Sequence, residues 1–130
     1  MTQIQSRSLI AEMNDDFRRR LFRGDTKISS RIRQRGQAFE AMALAAVCSH
    51  DYFDEDSDPS GRHECGVVPV EGVAVSFQIT YEAADQSTSI VDPSCRWASR
   101  RVLHITEFNP FRRYDVDDAK ALDFGRDLAA

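Results

Sequence analysis

The chain has 130 residues, 42% of them hydrophobic and eight of them Phe, with a formal net charge of −4. That length fits a single domain with its own core, and the apolar fraction excludes a disordered chain. The acidic balance gives no general drive toward nucleic acid or an anionic membrane, both of which want a basic face; it suits solubility or a basic partner.

The 3 cysteines, Cys48, Cys65 and Cys95, contain no C-x-x-C pair and fit neither a disulfide framework nor a zinc knuckle. Free thiols in a reducing cytoplasm are expected. No charged-then-apolar leader is read at the start, and no apolar run nears the roughly 20 residues of a membrane span. The expectation is a soluble, cytoplasmic protein of one domain, with its core between about residues 8 and 108.

In chain order, Leu9, Ile10, Met13 and Phe17 recur at helical spacing between Ser8 and Arg20, with Glu12, Asp15, Asp16 and Arg18 assigned to the solvent side. The acids precede Arg18-Arg19-Arg20, an order that suits the helix dipole. The basic run reads as a solvated helix end. After the turn at Gly24-Asp25, Thr26 to Ile32 reads as a short strand with Ile28 and Ile32 on one face. Gln34 to His50 is the clearest helix, with Phe39, Met42, Ala43, Ala46 and Val47 as one apolar stripe. His50 is placed at its end, where an imidazolium would meet exposed carbonyls.

Two β-rich runs follow, Val67 to Val70 and Val73 to Tyr81, joined by Glu71-Gly72, which predicts a tight hairpin. In the second run Val73, Val75, Phe77, Ile79 and Tyr81 alternate with smaller or polar residues, a period of two. Pro69 cannot donate to a ladder, which makes its strand an edge or a bulge. Asp85 to Ser99 reads as a turn-rich loop anchored by Trp97. Arg101 to Phe108 is a last strand with His104 on its less apolar face. The segment 109–130 is read as a tail with a short helix over Asp115 to Asp127. Together these give an α+β fold, a small mainly antiparallel sheet with two helices packed on one face.

The chemistry concentrates between Phe53 and Gly66. Asp54, Asp56 and Asp58 alternate like the oxygens of a calcium loop, but Pro59 stands where that loop needs Gly and Cys65 where it needs Glu. A mixed site is the second reading, with Asp56, Asp58, His63 and Glu64 holding a divalent metal, or His63 and Glu64 sharing acid–base work. The structural reading makes the Asp residues turn caps and gives Gly61 and Gly66 the unusual dihedrals. No nucleophile and no glycine-rich phosphate loop is marked, and no cofactor is predicted.

The stretch Asp56-Ser57-Asp58-Pro59-Ser60-Gly61-Arg62-His63-Glu64-Cys65-Gly66 resembles the Asp-Asn-Asp-Pro-x-Gly-Glu-His-Asp-x-Gly block of the DUF3768 family, small alphaproteobacterial domains of unknown function often found on mobile elements. Met13-Asn14-Asp15-Asp16-Phe17-Arg18 is similar to that family's early Leu-Asn-Asp-x-Phe-Arg. Asp92-Pro93 followed by Arg101-Val102-Leu103-His104-Ile105 is similar to its later block. The chain departs from the family where Phe77-Gln78-Ile79-Thr80-Tyr81-Glu82-Ala83 replaces a strand bearing a lysine and more acids, and where Arg62 replaces an acid. The resemblance implies no reaction, cofactor or substrate, and its mobile-element habit implies an accessory or anti-defence role.

Two functions are carried forward. The first is a non-catalytic protein-binding factor, monomer or homodimer, whose Asp54, Glu55, Asp56, Asp58 and Arg62 contact a partner with a basic surface. The second is a metal-assisted hydrolase built on Asp56, Asp58, His63 and Glu64.

Overall fold

The computed structural model describes residues 3–21, 23–85, 91–95 and 99–108. These form helix α1 (Gln3–Arg20), strand β1 (Gly24–Ile28), helices α2 (Ser30–Gln34) and α3 (Gln37–Ser49), and strands β2 (Cys65–Val70), β3 (Val73–Ala83) and β4 (Ser99–Glu107). The strands make one sheet in the order β1-β4-β3-β2. β2 pairs with β3 and β3 with β4 antiparallel, while β1 runs parallel to β4. The long excursion through α2, α3 and the hairpin is what allows that parallel pair, since a tight turn cannot make one.

The sequence reading differs from this structure in several places; the helix read from Gln34 begins at Gln37, Gln34 being the end of α2. α1 begins at Gln3 rather than Ser8. The strand expected over 26–32 stops at Ile28, because Ser29 caps a further helix: its hydroxyl accepts from the Ile32 N–H at 3.4 Å. The described residues therefore hold three helices, not two. Ile28 and Ile32 are both buried, but from a strand and a helix respectively. Arg18, assigned to solvent, is fully buried, as is Asn14 beside it. The expected tail helix and the Trp97 anchor lie outside the described residues.

The hairpin forms as expected. Glu71 and Gly72 both have left-handed φ, +50° and +77°, as the commonest two-residue hairpin turn requires. Register lines up Gly66, Phe77, Ile105 and Ile28 across all four strands. This row and the neighbouring Val68, Val75, Ile79 and Leu103 cluster with Phe17, Ile32, Phe39, Ala43 and Val47. The period-two pattern of β3 thus supplies the sheet's share of the core, and the 3.6 period of α3 supplies Phe39, Ala43 and Val47. Gly66 is obligatory in this row: a Cβ there would come within 2.5 Å of the Phe77 ring and 3.1 Å of His50 Nε2.

β2 is an edge strand, and its pairing explains Pro69. The Ile79 N–H donates to the Glu64 carbonyl, so in this register residues 66, 68 and 70 turn their backbone groups to β3 and residues 65, 67 and 69 turn theirs outward. Pro69 therefore removes a donor from the open edge and none from the ladder.

Candidate functional site

Beyond the apolar rows, the same register brings Tyr81 beside Arg101, and here the core turns polar. Asn14 of α1 sits between them. Its side-chain amide donates to Tyr81 Oη at 2.8 Å and to the Arg62 carbonyl at 3.0 Å, and its oxygen accepts from Arg101 Nε at 2.5 Å. Tyr81 Oη donates to Glu64 Oε2 at 2.5 Å, and Ser60 Oγ donates to Glu64 Oε1 at 2.7 Å. Burial, then the Glu64 carboxylate, pushes the Tyr81 phenol up, so it stays a donor. Arg101 also reaches the Pro93 carbonyl at 2.7 Å and lies over the Tyr81 ring. One network thus ties α1, the loop before β2, β3 and β4 together.

The loop from Asp51 to Glu64 is pinned by Asp58, which is only 3% exposed. Its two carboxylate oxygens accept from the backbone N–H groups of His63 (2.8 Å) and Glu64 (3.1 Å). Its own N–H donates to the Asp54 carbonyl at 2.8 Å. Asp54 in turn accepts the Ser57 N–H at 2.8 Å, and that bond chiefly holds its carboxyl below the usual range. Asp58 is what allows His63 to stay in left-handed backbone, φ +58°, a conformation that costs a non-glycine residue about 1 kcal/mol.

The His63 side chain turns back onto α1. Nδ1 lies 3.0 Å from both oxygens of Asp15. Asp15 also pairs with Arg18 Nη2 at 3.0 Å, and the same nitrogen donates to the His50 carbonyl at 2.7 Å. Phe53 stacks on the His63 ring at 4.0 Å with a 3° interplanar angle. The Arg18 guanidinium lies over Phe53 and Phe77 at 5.0 and 5.6 Å. Its Nε and Nη1 have no hydrogen-bond partner among the described residues, and these ring faces are what they meet. His50 is edge-on to both rings, and burial lowers its pKa, so it is a neutral packing residue and not the imidazolium expected at a helix end.

The predicted site residues separate into two groups. Asp58 does not belong to an outward contact edge, because it is buried and both oxygens serve its own backbone. Asp54, Glu55 and Asp56 are exposed at the tip of the loop, and Arg62 is half-buried beside Asp92. Glu64 is engaged by Ser60 and Tyr81. Asp56, Asp58, His63 and Glu64 do not converge as a metal ion would need: among the described residues no three His, Cys, Asp or Glu side chains are so gathered. Of the thiols, Cys65 is pushed up to about 12 by burial first and by Asp58 and Glu64 next, which leaves it unreactive.

Asn14, Asp15, Arg18, Tyr81 and Arg101 were not among the predicted site residues. The Asn14-Asp15-x-Phe17-Arg18 motif was the available signal; amphipathic spacing hid it by sending Asp15 and Arg18 to solvent. Searches of curated proteins and of solved structures gave no significant match. Among the described residues no helix is long and apolar enough to cross a membrane. Residues 28–110 match the model of the family described as protein of unknown function (DUF3768). That stretch holds Asp58, His63, Glu64, Tyr81 and Arg101, the parts of the network supplied by the loop and the sheet, and the chain belongs to this family.

Proposed function

We propose that this chain is a cytoplasmic protein-binding accessory domain, an inhibitor-type or anti-defence factor, that docks its acidic loop on a basic surface of another protein. The observation carrying this reading is the contrast within one loop. Asp54, Glu55 and Asp56 stand exposed while Asp58, two residues on, is buried and pins the backbone beneath them. A fixed loop presents its charges at little entropic cost, and charge complementarity governs association rate and salt dependence. Free Cys48, Cys65 and Cys95 fit a reducing compartment. The metal-assisted hydrolase gains no support, because Asp58 and Glu64 spend their oxygens inside the fold.

The test uses the whole chain as bait. Asp54→Asn, Glu55→Gln and Asp56→Asn are made together, which removes three charges and preserves shape. The partner bound by wild type should elute as salt rises and should bind the triple variant at least about tenfold more weakly, as the loss of several complementary contacts requires. Equal retention of every partner by the two proteins overturns the reading.

A further inference from the structure

The two borders of the sheet are unlike. β2 carries Pro69 on its open side, whereas β1 carries no proline, and among the described residues its one strand neighbour is β4. The Ser29 N–H donates to the Ile105 carbonyl at 2.9 Å. Backbone groups alternate sides along a strand, so residues 25 and 27 turn theirs to β4, and Gly24, Thr26 and Ile28 turn theirs outward. Side chains alternate between the two faces of the sheet. Ile28 is buried in the core, which puts Asp25 and Lys27 together on the other face, both exposed. Asp25 accepts from Arg100 Nη2 at 2.8 Å. Lys27 lies opposite His104 and has no carboxylate partner among the described residues. Charges on an edge strand commonly repel a foreign strand. Here they are of opposite sign and flank the central residue, so this edge is complementary to itself.

We propose that β1 pairs antiparallel with β1 of a second copy of this chain, about a two-fold axis at Thr26, joining the two sheets into one. In that register Thr26 faces its symmetry mate and Gly24 faces Ile28 of the second copy, and these outward groups exchange backbone hydrogen bonds. Asp25 then lies opposite Lys27 of the second copy in a non-hydrogen-bonded pair, where side chains come closest, and the same contact recurs across the axis. Charge selects this register. A slide of two residues one way sets Asp25 against Asp25, and the other way sets Lys27 against Lys27. A slide of one residue sets outward groups against inward ones. A foreign strand has no reason to supply both charges, whereas a second copy supplies both by symmetry. Backbone pairing contributes most of the attraction, and the exposed ion pairs contribute orientation. A strand of 5 residues buries little area, so the dimer is weak and forms as concentration rises. The acidic loop leads into β2 at the opposite border and stays free in the dimer.

Sedimentation of the full chain tests this, with Lys27→Glu and Asp25→Lys made as single variants. Wild type should pass from monomer to dimer as its concentration rises to about 1 mM, the weak end of specific association. Each variant sets like charges opposite each other in its own dimer and should associate at least about tenfold more weakly. An equimolar mixture of the two variants restores an opposite pair at both positions and should dimerise again. That recovery also shows that both variants are folded. A wild type monomeric throughout, a dimer unaffected by either change, or a mixture that stays monomeric overturns the proposal. The test leaves Asp54, Glu55 and Asp56 untouched, and the triple variant at that tip should dimerise as wild type does. Failure here therefore leaves the docking proposal standing, and failure of docking leaves this one standing.

Discussion

Asp58 and Asp56 differ by two positions and by their entire physical role. Asp58→Ala strips two backbone N–H groups of a charged acceptor in a buried site, and each such bond contributes about 1.5 kcal/mol or more. A loss of about 3 kcal/mol is expected in urea unfolding. Asp56→Ala, exposed at the tip, should change stability by no more than about 0.5 kcal/mol. Equal costs at the two positions would show that the loop is not pinned where the geometry places the pin. Tyr81→Phe is the second informative change at this scale. It removes the hydroxyl joining Asn14 to Glu64 and leaves both with unmet partners in a buried place. A cost of about 1–3 kcal/mol is expected, with the β-sheet signal of the folded protein retained.

Among the elements, the hairpin turn and the β2 core row are the most sharply specified. Glu71 occupies a left-handed position that Asn adopts more readily. Glu71→Asn should therefore stabilise the protein by a few tenths of a kcal/mol, read from the urea midpoint. Gly66→Ala should do the opposite, because the new methyl meets the Phe77 ring and His50; overpacking of this kind costs about 1–3 kcal/mol. These elements were also the ones legible in the sequence. Period two from Val73 to Tyr81, the Glu71-Gly72 turn and the Phe39–Ala43–Val47 stripe each follow from local backbone geometry alone. The site was less legible. Asn14, Asp15 and Arg18 sit on a helix whose apolar spacing says nothing about Tyr81, Arg101, His63 or His50, and these partners lie 67, 87, 48 and 32 residues away. The parallel β1–β4 pair was hidden for the same reason. No pattern within five residues of β1 can indicate that it will lie beside the last described strand.

For the molecule as a whole, acid is the expected weakness. His104 is nearly buried, with Nε2 at 2.8 Å from Thr80 Oγ1. Burial first, and Lys27 second, lower its pKa from 6.5 to about 4. The unfolded chain therefore binds this proton more readily than the folded one between those values. The stability held by neutral His104 is complete above about pH 6.5, is lost as pH falls toward 4, and amounts to about 3 kcal/mol. His50, lowered chiefly by burial, acts in the same direction. The urea midpoint should fall across this window, and His104→Gln should flatten the fall; an unchanged slope in the variant would locate the acid response elsewhere. At the opposite edge of the sheet, Pro69 presents a ring where a foreign strand would seek a hydrogen to accept. Pro69 thus guards this border against strand-by-strand growth. Pro69→Thr should reopen it, and the variant should self-associate as its concentration rises in sedimentation while wild type does not by this route.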